Sequence, residues 1–223
     1  MHSGILQAIN GISFAALLFL LASGFTLSFG LMRVVNMAHG AYYLFGGYIG
    51  LTITRYTGSF ALGVLGGGLA VIPLGYLIDR FLISRTEENH LAQVLLTVGI
   101  AFVLGDVALK IWGGDNLKVP TPIELRGAIE LPGGIFYPTY RLVLILFSIV
   151  VGLSLWLLYR KTQIGAVVRA GVDDREIVSA TGINIDRLFV LVSALASFLA
   201  GIAGVAGGAF LTLYPGAEWE FLV

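Results

Sequence analysis

Cysteine is absent from the 223 residues, which removes disulfides, thiolate chemistry and cysteine-type zinc sites. Charge is scarce: Asp, Glu, Lys and Arg together make up 12% of the chain. Thirteen basic residues balance thirteen acidic ones, so there is no global field to draw in nucleic acid and no such partner is expected. Only three histidines occur, His2, His39 and His90, and they stand in no metal-ligand spacing. No G-x-x-x-x-G-K-[ST] phosphate loop is present, so the chain does not hydrolyse ATP by that route. Neither paired histidine ligands nor a Ser–His arrangement suggests a catalytic set, and no cofactor is implied. What the chain has instead is apolar surface. Its residues are 57% hydrophobic and its mean hydropathy is +0.93, a balance that points to lipid as the solvent.

A spanning helix needs about 20 mainly apolar residues to cross a hydrocarbon core about 30 Å thick. Charges therefore mark the edges of spans. None precedes Arg33, none falls between Arg33 and Arg55, and none between Arg55 and Asp79. Six runs emerge, near 4–29, 35–54, 56–78, 91–109, 142–159 and 188–213. Lipid forces every backbone group to bond within its own segment, and the runs lack the alternation of barrel strands, so they read as helices. The expected fold is all-α, a polytopic transmembrane helix bundle in a single domain covering 1–223. The N-terminus, Met1-His2-Ser3, has no basic cluster and no clear cleavage site, so the first run reads as a retained membrane segment.

Small residues recur at four-residue spacing: Gly46/Gly50, Gly63/Gly67 and Ala196/Ala200/Gly204/Gly208, with Ser193/Ser197/Gly201 on the adjoining stripe. Such stripes let membrane helices approach closely, so Ser197, Gly201, Gly204 and Gly208 are expected to be packing positions.

Orientation follows from basic residues. The connection 160–187 holds Arg160, Lys161, Arg169, Arg175 and Arg187, the largest basic count of any connection, which places it in the cytoplasm. By parity 110–141 is external. There Pro120, Pro122, Pro132 and Pro138, with paired glycines, punctuate short alternating pieces that suggest a small hairpin or extended cap.

Two polar constellations stand out. Arg33, Asn36 and His39 are three apart, a spacing that puts them on one helical face, and polar groups at membrane depth normally face a bundle interior or a water-filled path. Gly24, Gly30 and Gly40 bracket this stripe and are placed to break the helix, as in transporters. The alternative is a short aqueous turn with Asn36 capping the second helix. In the second constellation, Asp173 and Glu176 form a D-x-x-E capping pattern and Gly182 supplies a stop, which predicts a short helix over 174–181, followed by a cap from Asn184 or Asp186. Such a helix is either a docking knob or a solvated connection. A carrier or channel acting alone remains the alternative function. An ion-coupled carrier usually buries an acid, and Asp106 lies one turn from Lys110, which is placed to pair with it.

The segment 24–40 with Tyr42-Tyr43-Leu44-Phe45-Gly46-Gly47-Tyr48 resembles the N-terminal signature of the permeases of branched-chain amino-acid ABC transporters. The family's N-x-A-H-G element stands here as Asn36-Met37-Ala38-His39-Gly40. The stretch 169–187 is similar to that family's cytoplasmic coupling loop, where the permease docks into a cleft of the ATPase. Two departures occur: Glu176-Ile177-Val178 and Ser179-Ala180 replace a full E-A-A triplet, and Ala41 stands where relatives often carry Glu. Family members also continue with further spans, so the chain is expected to lack their C-terminal ones. The resemblance implies an importer-type ABC permease fold in a bacterial inner membrane. It implies as partners a second permease subunit, cytoplasmic ATP-binding subunits and an external solute-binding protein, with membrane lipid around them. The transported solute would be a branched-chain amino acid or a related small solute such as urea or an amide. Translocation-path candidates are then Arg33, Asn36, His39 and Gly40. The ATPase-coupling candidates are Asp173, Asp174, Arg175, Glu176, Ala180 and Gly182.

Overall fold

The computed structural model describes residues 2–32, 35–86, 89–131, 134–173, 175–180 and 182–220. Its helices are α1 (His2–Met32), α2 (His39–Thr57), α3 (Phe60–Phe81), α4 (His90–Trp112), α5 (Thr139–Lys161), α6 (Gln163–Asp173), α7 (Arg175–Ala180), α8 (Ile185–Phe210) and α9 (Ala217–Glu220). The caps explain several starts. Ser59 Oγ accepts from Leu62 N (3.3 Å) ahead of α3, Asn89 Oδ1 from Ala92 N (3.0 Å) ahead of α4, and Asn184 Oδ1 from Arg187 N (3.0 Å) ahead of α8. Asn184, of the two residues the sequence offered, thus caps the last long helix. Between α4 and α5 an antiparallel hairpin joins β1 (Ala128–Leu131) to β2 (Ile135–Pro138), with Ile129 opposite Tyr137. The hairpin expected in this connection is present.

Five stretches of the described residues are long and apolar enough to cross a membrane: Gly4–Gly30, Phe60–Thr86, His90–Trp112, Thr139–Lys161 and Arg187–Phe210. The second of the six expected runs is not among them. Its helix, α2, begins at His39 and is buried or half-buried from there to Thr54. A helix enclosed by other helices has no need of an apolar perimeter, which is why tyrosines, threonines and glycines populate it.

The core is a three-helix packing of α2, α3 and α8, with α1 and α4 against it and α5 outermost against α1. The share of each span buried separates centre from rim, 67% for the last span against 11% for Thr139–Lys161. Close approach depends on small residues. A Cβ built on Gly204 would collide with the Tyr43 carbonyl oxygen and lie 2.8 Å from Gly47 N, and one on Gly46 would lie 2.7 Å from Gly201 O. Gly208 meets Leu213 and Val119, and Ser197, 1% exposed, lies against Gly75 of α3. Polar clasps fix the neighbours: Tyr140 O–H donates to Ala206 O (2.8 Å) and Trp112 Nε1–H to Thr52 Oγ1 (3.0 Å), with the indole stacked 5.0 Å from the Tyr48 ring.

One expectation is corrected. The α1 helix runs unbroken through Gly24 and Gly30. An interior helical glycine costs only about 1 kcal/mol relative to alanine, and no local break follows from it. At Gly24 the missing side chain serves contact instead, since a Cβ there would sit 2.7 Å from Ala196 O of α8 and 3.1 Å from the His39 ring.

Candidate functional site

The chain leaves α1 after Met32 and re-enters a helix at His39. Arg33 lies outside the described residues. Asn36 precedes α2 and is not part of a helix, so the expected single helical face is not formed; the residue works as a turn former. Its Oδ1 accepts from Ala38 N (3.0 Å), His39 N–H donates to Asn36 O (3.1 Å), and Nδ2 donates to Tyr42 O–H (3.4 Å). Both Asn36 and His39 are buried, at 3% and 1% exposure. The His39 ring contacts the α1 backbone through Nε2 and Leu21 O (3.2 Å), edge-on to Phe25 and Tyr42, and Gly40 is buried beside it. On the opposite side Met37 N–H donates to Thr97 Oγ1 of α4 (3.2 Å).

This break sits in a wider polar belt. Gln93, one turn before Thr97 in α4, is 1% exposed, and its Oε1 has no partner among the described residues. Asp79, near the end of α3, accepts from the Ser193 hydroxyl of α8, and one turn earlier a Cβ on Gly75 would lie 3.7 Å from the Tyr42 ring. Tyr42 in turn meets Asn36. Four elements, α2, α3, α4 and α8, thus bring polar groups to the level of the break. Sequence reading missed Asp79, Gln93 and Thr97 as members: Asp79 reads as a span edge, and nothing local marks two polar residues in α4 as facing inward. Replacing Ser193 with alanine is expected to leave the Asp79 carboxylate short of a donor and to cost about 1–2 kcal/mol in thermal or detergent unfolding. Asp79→Asn, which keeps an acceptor, should cost less than half of that, and an equal loss from both would show that the bond itself does not matter.

The second candidate segment turns back from the end of α5. Thr162 starts α6, its Oγ1 accepting from Gly165 N (3.1 Å), and Arg169 donates to Tyr159 O with its guanidinium 5.1 Å from the Tyr159 ring. The short helix expected over 174–181 is found as α7, and α6, which the sequence reading did not foresee, precedes it. Asp173 ends α6, while Arg175, Glu176 and Ala180 lie in α7. Asp174 lies outside the described residues, as do the side chains of Asp173, Arg175 and Glu176. Ala180 and Gly182 are exposed, and Gly182 takes φ 85°, the left-handed conformation that ends a helix. Val178 is buried, and α7 packs against α6 and α8. Val168 of α6 joins Leu188 and Val192 of α8 and Leu27 of α1 in one apolar cluster. That cluster connects this segment to the end of α1, from which the break departs. Asp106 and Lys110, the pair expected near one end of α4, are both exposed.

Residues 7–223 match the family described as branched-chain amino acid transport system, permease component. The chain is 24% identical over 216 residues to the high-affinity branched-chain amino acid transport system permease protein LivH of Escherichia coli, covering 92% of this chain and 70% of that protein. The corresponding protein BraD of Pseudomonas aeruginosa is 24% identical, with 91% and 70% covered. The L-arabinose ABC transporter permease protein AraH of Azospirillum brasilense is 29% identical over 174 residues, 77% of this chain and 48% of that one. No solved structure matches the chain significantly. A multi-pass helical bundle, an N-x-A-H-G break at the head of α2 and a family match along almost its whole length agree: this chain belongs to the branched-chain amino acid transport permeases, which are membrane transport subunits of ABC importers and not enzymes.

Proposed function

We propose that the chain is the membrane-spanning subunit of an ATP-driven importer of the bacterial inner membrane, moving branched-chain amino acids or a related small polar solute. The observation that carries this reading is the linkage between the break and the short helices, made by Leu27, Val168 and Leu188. It gives a cytoplasmic ATPase, docked on 173–182, a packed route to the head of α2. The exposed Ala180 and Gly182 are suited to such a cleft, and the basic residues of 160–187 favour the cytoplasmic side. A second permease subunit and an external solute-binding protein complete the assembly, the latter approaching the 110–141 side. Arg33 and the N-terminus of α2 would meet the solute carboxylate, with Asn36, His39 and Gly40 shaping the path.

Purification of the tagged chain from native membranes, with mass spectrometry of bound subunits, tests the assembly. The complex reconstituted in vesicles should take up labelled leucine only with ATP, and unlabelled isoleucine or valine should compete. Uptake that survives omission of the ATPase subunit would refute the reading. Within assembled complexes, Asn36→Ala and His39→Ala should each lower uptake by about tenfold, the scale of one lost buried polar contact. Unchanged uptake in both would make the break purely structural.

A further inference from the structure

A cavity of about 280 Å³ opens at the end of α5 and α8 remote from α7, beneath the β1–β2 hairpin connection. Lys118, Arg126 and Arg141 line it together with the apolar Leu125, Tyr140 and Phe210. Among the described residues no Asp or Glu lines it. Two of the three cations are held in place by neutral groups. Arg126 Nε–H donates to Thr121 O (2.9 Å). Arg141 donates to Asn10 Oδ1, and its guanidinium carbon lies 5.0 Å from the Phe210 ring centre and 5.9 Å from that of Tyr137. Such holds orient a guanidinium without neutralising it, so its remaining donors stay available for a planar anion. Three like charges around one cavity repel one another, and a bound anion offsets that repulsion.

We infer that this cavity binds a carboxylate, presented as the side chain of Asp or Glu on a polypeptide that docks from outside. The external source rests on the topology proposed above. The lining decides between a free amino acid and a polypeptide side chain. A zwitterion brings an ammonium group, which would meet three cations and no acid. A side-chain carboxylate arrives on methylenes that fit against Leu125 and Phe210, with neutral peptide groups behind it. Fixed donors and fixed apolar walls lower the ordering cost of such a contact, and the cationic field speeds encounter.

The absence of cysteine makes the test clean. Thr121→Cys places the one attachment point of these 223 residues on the cavity wall for an environment-sensitive fluorophore, and the unsubstituted transporter, labelled in the same way, gives the background from the other subunits. Three probes are titrated: N-acetylglutamate N-methylamide, its glutamine counterpart and leucine. The glutamate probe should give a saturable, salt-sensitive response with half-saturation about tenfold below that of the other two. Arg126→Gln and Lys118→Gln, neither of which touches the helix core, should each raise that value by about threefold at unchanged thermal stability. A glutamine probe binding as well as the glutamate one, or no effect from either substitution, would overturn the inference. Leucine binding as tightly would make the cavity a solute site and overturn it equally. In sealed right-side-out vesicles a membrane-impermeant maleimide should label Thr121→Cys. Protection from it until the vesicles are opened would overturn the topology and the external source, separately from the carboxylate titration.

Discussion

Replacing Gly204 with alanine is expected to destabilise the bundle by about 2–3 kcal/mol, the range of an overpacked core, although it adds one methyl group. The reason is what that methyl meets. A Cβ at this position runs into the Tyr43 carbonyl oxygen and stands 2.8 Å from Gly47 N, both backbone atoms of α2. Backbone inside a helix cannot step aside alone, so α8 must move off α2 as a body and lose contact along its length. Gly207 provides the comparison. Its Cβ would meet the tip of the Tyr43 side chain and not helix backbone, so Gly207→Ala should cost less. Gly30 provides the control, because a Cβ there meets nothing within 4 Å and alanine favours helix; Gly30→Ala should be neutral within about 0.5 kcal/mol or mildly stabilising. Thermal unfolding of detergent-solubilised fusions to a fluorescent reporter measures all three. Equal losses at Gly204 and Gly30 would remove close helix approach as the cause.

Gly182→Pro is expected to abolish solute-stimulated ATP hydrolysis in the assembled transporter while leaving membrane insertion intact. Proline fixes φ near −65°, whereas Gly182 sits at 85°, so the turn between α7 and α8 cannot form as it stands. Ala180 and the exposed surface around it would then be presented at a different angle to the ATPase. Glu176→Lys tests the same segment through charge and should lower stimulated hydrolysis by about tenfold, with α7 still helical because lysine is as good a helix former as glutamate. Gly182→Ala, strained by about 1 kcal/mol but not forbidden, should lower it by about fivefold at most. Full stimulated hydrolysis in both Gly182→Pro and Glu176→Lys, at normal levels of the complex, would separate 173–182 from ATPase docking.

Five of the six apolar runs were legible because lipid leaves a spanning chain one choice, whereas the charge-free interval between Arg33 and Arg55 marked a helix that other helices enclose. Loop chemistry was legible too: Gly182, Asn184 and the β hairpin follow from residues that act on their own neighbours. What lay beyond reach was any fact carried by a distant partner. Asp79 looks like an interface charge until Ser193, more than a hundred residues away, is brought against it. The spacing of Arg33, Asn36 and His39 suggested one helical face because nothing in the local sequence shows that Asn36 spends its oxygen on Ala38 N and so keeps the chain out of a helix. The short helix expected over 174–181 stands as α7, because its cap and its stop are local, but α6 before it went unread, since Gly165 and Gly171 leave 163–173 without a helical signature. The cationic cavity was hidden for the same reason as Asp79. Lys118, Arg126 and Arg141 are scattered along the connection and only the return of α5 beneath the hairpin gathers them.

The enclosure of α2 has a consequence for how the protein is made. Its glycine face is closed by α8, and more than a hundred residues must be synthesised between the end of α2 at Thr57 and the start of α8 at Ile185. At bacterial elongation rates that interval lasts on the order of ten seconds. Throughout it α3 can cover Gly50 through Gly63, while Gly46 and Gly47 wait without the Gly201 and Gly204 backbone that closes them. The nascent chain is therefore open to membrane proteases and insertase chaperones until its last long helix emerges, so the yield of this protein in a cell depends on the speed at which α8 arrives as well as on the stability of the finished bundle.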